Sequence, residues 1–180
     1  MRVRTATLVI VAYGLCVIVG AVWRLLPWVS VAVPDLGALT AAYLGLTARR
    51  TVSPAVLGSM VLGYLVDLIS GSPPGLIALV LALTCMIARA VQQRIYVRGA
   101  TMTIAFSVFV SLIASVVAML VRALYHVPSA ALSLEMRHIA LAAIATGVIG
   151  PVVWRIFRRI DAAYARTHRE RDAALEGLHT

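Results

Sequence analysis

The chain has 180 residues, 62% of them hydrophobic and 13% charged, with a mean hydropathy of +0.96 and a formal net charge of +9. That balance is far more apolar than a water-soluble domain and excludes one. The apolar residues fall into blocks of about 17–22, the length that crosses ~30 Å of hydrocarbon at ~1.5 Å per residue. Six such blocks nearly consume a chain of 19.2 kDa, leaving no room for a separate soluble domain.

The first block, residues 5–23, follows Arg2 and Arg4 and reads as an uncleaved signal anchor. No small-x-small cleavage site comes after it, and the run Trp23-Arg24-Leu25-Leu26-Pro27-Trp28 is a poor processing signal. The second block, 31–48, is cut short by Pro34 and Asp35. The third, 53–70, opens on Ser53-Pro54, an N-cap followed by a first-turn proline, and holds a single charge, Asp67. Ser72-Pro73-Pro74 repeats that start signal before the fourth block, 74–91. Gly99 divides a basic loop from the fifth, 100–121, and the sixth spans 138–157. The connection from Arg122 to Arg137 is the longest, and Pro128 is placed to start a short interfacial helix within it. Trp23, Trp28, Tyr125 and His126 fall where an outer aromatic belt belongs. Past Arg159 the chain turns polar and helix-friendly, with Ile160 and Tyr164 on one face and Arg166 paired to Glu170 at i, i+4. The expected fold is all-α: a polytopic bundle of six transmembrane helices over residues 1–159, with a cytoplasmic helical tail over 160–180.

Orientation follows from the arginines, which supply all sixteen basic residues. With six spans, Arg2, Arg4, Arg49, Arg50, Arg89, Arg94, Arg98, Arg155, Arg158, Arg159, Arg166, Arg169 and Arg171 share one side, against Arg24, Arg122 and Arg137 on the other. The positive-inside rule then places both termini in the cytoplasm. The charge is thereby a topology signal and a generic attraction to anionic inner-leaflet lipid. It is not a nucleic-acid footprint, because no aromatic platform accompanies it.

Two helix faces carry small residues at close-packing spacing. On the third block they are Ala55, Ser59 and Gly63, ending in Asp67; on the second they are Asp35, Ala38, Ala42 and Gly45. The two stripes are expected to face each other or a shared neighbour. A lone carboxylate in such a segment costs roughly 2.5–3.5 kcal/mol at a bilayer centre, so it needs a partner, a wet cavity or a task. Both acids lie in the outer part of the membrane, where Arg24, Arg122 or Arg137 are candidate partners. Asp35, directly after Pro34, also fits a plain helix-start role. Asp67 lies near a helix C-terminus, where the dipole disfavours an anion; an ion pair, a hydrogen bond to the 70–72 turn and a direct functional role all remain open.

Enzyme signatures are absent. No HExxH, GxSxG, P-loop or GxGxxG occurs, and no cofactor or metal is implied. Cys16 and Cys85 are single thiols in separate blocks and read as small packing residues.

The run Leu57-Gly58-Ser59-Met60-Val61-Leu62-Gly63-Tyr64-Leu65-Val66-Asp67-Leu68-Ile69-Ser70-Gly71-Ser72-Pro73-Pro74-Gly75-Leu76 resembles the signature of MreD, a bacterial rod shape-determining family. Val33-Pro34-Asp35-Leu36 resembles its second span, and Gly147-Val148-Ile149-Gly150-Pro151 with Arg155, Arg158 and Arg159 resembles its last. Val33 departs from the basic residue common there, which weakens an Arg–Asp pair at that helix start unless Arg24 replaces it. The resemblance implies a non-enzymatic scaffold in the inner membrane, folded like the substrate-binding subunits of energy-coupling-factor transporters. Its implied direct partner is MreC, with MreB, a RodA-type glycosyltransferase and a class B penicillin-binding protein in the wider complex. Asp67, Asp35, Arg24, Ser70, Gly71, Pro74 and Gly75 are the expected partner-binding or polar outer-pocket residues, and an MreC helix against the small-residue stripe is one form of the contact. A second reading of the same six-helix layout is a small-molecule-binding subunit of a vitamin transporter.

Overall fold

A computed structural model describes residues 3–25, 33–48, 53–92, 99–126 and 132–176; the side chains of 23–25, 92, 100, 132 and 167–176 fall outside that description. Six helices and no strand occur among the described residues: α1 (Val3–Leu25), α2 (Leu36–Thr47), α3 (Ser53–Ser70), α4 (Leu76–Gln92), α5 (Ala100–Leu124) and α6 (Leu132–Glu176). Four of them are long and apolar enough to cross a membrane, over Val3–Val22, Ser53–Ser70, Thr101–Leu124 and Ser133–Arg166. This is a membrane protein.

The second block differs from its expected span. Pro34 and Asp35 hold the chain out of helix until Leu36, so α2 has 12 residues, about 18 Å. That falls short of ~30 Å of hydrocarbon. Nine of its residues, Leu36 and Ala38 through Gly45, are buried, so the helix is covered on every side. The reason is position. α2 packs against all five other helices, which close around it in the order α1, α3, α4, α5, α6 and back to α1.

Two other boundaries move. α4 begins at Leu76 rather than residue 74, because Gly71 and Gly75 take positive φ (67° and 95°) and keep the intervening prolines in a turn. α6 begins at Leu132 and runs 45 residues without a break, through Pro151. The boundary expected at 159/160 therefore lies inside one continuous helix. The expected interfacial helix at Pro128 lies outside the described residues.

Close helix contacts rest on glycines. A Cβ on Gly45 would lie 2.5 Å from the Cys85 carbonyl oxygen of α4, and one on Gly147 would lie 2.6 Å from Val108 of α5. Between α2, α5 and α6 sits an aromatic cluster: Tyr43 and Phe106 each meet Trp154 edge-on at 5.3 and 5.8 Å, and Tyr43 meets Phe157 at 5.1 Å. The outward faces keep their large apolar side chains exposed, among them Ile10, Leu68, Leu120 and Val148, as a lipid-facing surface does.

The helices alternate in direction, so the bundle has two ends. One end brings Arg4 of α1, Tyr43 of α2 and Asp161 of α6 into contact, and there the Arg89 guanidinium donates to the Ala48 carbonyl. The other end holds Asp35, the turn from Gly71 to Gly75, and an Arg122 to Glu135 ion pair at 3.3 Å. The amino-terminal residues and the carboxyl-terminal part of α6 thus meet at one end.

Candidate functional site

Asp67 lies one turn before the end of α3, and only 1% of it is exposed. Its carboxylate reaches across to the start of α4. Oδ2 accepts from the Gly75 amide at 3.0 Å and from the Ala78 amide at 3.3 Å; Oδ1 accepts from the Ile77 amide at 3.0 Å, which also lies 3.2 Å from Oδ2. The first-turn amides of a helix have no partners within it, and its dipole presents about half a positive charge at that end. The acid disfavoured at the end of its own helix is therefore stabilised by the start of the next. This is how the one charge of α3 is carried inside an apolar bundle.

The close approach that allows the reach comes from Gly63, one helical turn earlier on the same face. A Cβ there would lie 2.5 Å from the Ala78 Cα and 2.7 Å from its nitrogen. Ala55 and Ser59 continue the stripe and are buried, with the Ser59 hydroxyl donating to the Ala55 carbonyl at 2.9 Å. On α2, Ala38, Ala42 and Gly45 are buried as well, and Gly45 meets Cys85 of α4. The two glycines meet a shared neighbour, α4, rather than each other. Because that face is filled within the bundle, the stripe is not open to an MreC helix.

The turn after α3 has a different character from the carboxylate beneath it. Gly71, Pro73 and Pro74 are exposed, and Ser70 is exposed with its hydroxyl donating to the Val66 carbonyl at 2.8 Å. Asp67 thus braces this turn from inside and is not presented on its surface. The arrangement fixes the approach of α3 to α4, with the carboxylate oxygens turned to backbone amides of α4 and of the turn before it.

Asp35 takes the helix-start role. Its Oδ1 accepts from the Ala38 amide at 2.8 Å, and its own amide donates to Thr146 Oγ1 of α6 at 2.9 Å. Neither aspartate meets an arginine among the described residues. Arg122 is paired with Glu135, Arg137 is exposed, and the Arg24 side chain lies outside the described residues. The expected polar outer pocket shared by Asp35, Asp67 and arginines is therefore not assembled by the described side chains.

A second polar cluster, at the opposite end, was not singled out from the sequence. Arg4 donates to both carboxylate oxygens of Asp161 at 2.7 Å, and Tyr43 donates to Asp161 Oδ2 at 2.6 Å. Thr7 and Tyr164 share a hydrogen bond of 2.5 Å beside it. This clasp ties α1, α2 and α6 together where α6 leaves the bundle. The available signal was Asp161 itself, the single acid among Arg155, Arg158, Arg159 and Arg166.

Comparison with known proteins gives one result. No curated protein matches the chain, and no solved structure does. The family model described as rod shape-determining protein MreD matches residues 3–160, which takes in α1 through α5 and α6 up to the residue before Asp161. The chain belongs to the MreD family, whose role is in rod shape determination and which is not a known enzyme family.

Proposed function

We propose that this protein is a non-enzymatic scaffold of the rod-elongation complex in the bacterial inner membrane, with both termini cytoplasmic, and that it binds MreC directly. The observation that carries the reading is the MreD match across residues 3–160. The braced turn supports it, since Asp67 holds the backbone at Gly75 and Ile77 and leaves Gly71, Pro73 and Pro74 exposed beside it. On this reading MreC docks at that turn and along the exposed Leu68 and Ile69 beside it. The arginine-rich end faces MreB and the anionic leaflet, while a RodA-type glycosyltransferase and a class B penicillin-binding protein complete the wall-building assembly.

The test is detergent copurification of the full chain from its own membranes, followed by mass spectrometry. MreC is recovered with the wild type, and Ile69→Arg lowers that recovery at unchanged membrane abundance. A folded, abundant wild-type chain that recovers no MreC contradicts the proposal.

A further inference from the structure

α6 outlasts the bundle. At 45 residues it is about 68 Å long, roughly twice the ~30 Å of hydrocarbon. Its two faces differ in kind. Val153, Trp154 and Phe157 are buried in the bundle, and Asp161 and Tyr164 bond to α1 and α2 on that same side. The opposite side carries exposed Ile144, Val148 and Val152, and continues directly as exposed Arg155, Arg158 and Arg159. At ~100° per residue all six fall within an arc of about 120°.

Three features make this more than a row of anchoring arginines. The acid of this stretch, Asp161, is turned inward, where Arg4 and Tyr43 hold its carboxylate. Neither ion pair among the described residues uses Arg155, Arg158 or Arg159. The Arg158 guanidinium sits 5.8 Å from the centre of the Trp154 ring, which holds it close to the helix. Depth agrees. Arg155 and Arg159 lie 18 and 22 residues beyond the exposed Arg137, or about 27 and 33 Å along the axis, where hydrocarbon gives way to headgroups.

We propose that this face of α6 binds an anionic phospholipid, its acyl chain along Ile144, Val148 and Val152 and its phosphodiester at Arg155, Arg158 and Arg159. An acidic protein segment would meet the same arginines but not the lipid-facing Ile144, Val148 and Val152 that continue the face, whereas a phospholipid meets both. One helix face that changes from exposed apolar to cationic at headgroup depth, with no ion pair to those arginines among the described residues, matches a negatively charged amphiphile. The inference rests on α6 alone and stands or falls separately from MreC binding.

The experiment is native mass spectrometry of the full chain in neutral detergent, titrated with dioleoylphosphatidylglycerol or dioleoylphosphatidylcholine. One phosphatidylglycerol is retained in preference to phosphatidylcholine. Replacing Arg155 and Arg159 together by Gln lowers that affinity on the order of thirty-fold, about fivefold per guanidinium. Phosphatidylcholine retention stays unchanged, which reports an intact fold. Arg155→Lys with Arg159→Lys keeps most of the preference, and Arg137→Gln at the other end leaves it intact. Should the double Gln variant not fold, Arg159→Gln alone loses about fivefold. Equal phosphatidylglycerol binding by wild type and the Gln variants overturns the proposal. So does displacement of the lipid by glycerol phosphate alone, or a tighter hold on a polyglutamate peptide by the same arginines.

Discussion

Gly63→Ala is the smallest change that tests the joint between α3 and α4. The added methyl carbon would stand 2.5 Å from the Ala78 Cα, 2.7 Å from its nitrogen and 2.8 Å from the Ile77 carbonyl carbon. All three are backbone atoms, so no side chain can swing away and the helices must separate by about 1 Å to restore ordinary contact. Overpacking of this kind costs about 1–3 kcal/mol. The separation also stretches the Ala78 and Ile77 amide bonds to Asp67, at 3.3 and 3.0 Å, and a hydrogen bond to a charged group is worth about 1.5–3 kcal/mol. A total of about 2–4 kcal/mol corresponds to a melting temperature lower by roughly 5–10 °C. The assay is a fluorescence-detected size-exclusion melt in mild detergent, with Gly71→Ala as comparator. Gly71 has a φ of +67° but no neighbour to strike, so its cost is limited to about 1–2 kcal/mol of backbone strain. Equal melting of Gly63→Ala and wild type would refute the close-contact reasoning.

Further outcomes follow from the same geometry. Asp67→Asn puts an NH2 group among three amide donors, and is expected to cost about 2–3 kcal/mol and lower membrane abundance; it is checked by the same melt and by immunoblot of membranes. The Arg4 to Asp161 pair is partly exposed, at 37% and 22%, so a double-mutant cycle of Arg4→Gln with Asp161→Asn gives a coupling of only about 0.5–1 kcal/mol. A reporter fused after Thr180 is expected to read cytoplasm, and one in residues 129–133 the outside; a carboxyl terminus on the outside defeats the alternating map.

How much was legible can be judged from particular residues. Six helices were readable because span length and apolar blocks reflect the solvent, which acts on every residue alike. The length of α2 was not, since the same apolar composition serves a lipid-facing span and a helix wrapped by five neighbours. Asp67 stood out as a charge in an apolar frame, but its partners are backbone amides eight to eleven residues on, and amides carry no sequence signature. That is why arginines, the visible candidates, drew attention while α4 supplied the compensation. Small residues on α2 and α3 announced close packing, yet only the fold says that both glycines meet α4. The Arg4, Tyr43 and Asp161 clasp joins residues 118 and 157 positions apart, beyond the reach of any local pattern.

Depletion of this protein in its own cells tests the shape-determining role most directly. Cell outline is followed by microscopy while a plasmid supplies either the intact chain or none. The account predicts progressive loss of native shape on depletion and full recovery when the intact chain is restored. Unaltered shape after the protein has disappeared from the membrane would contradict it.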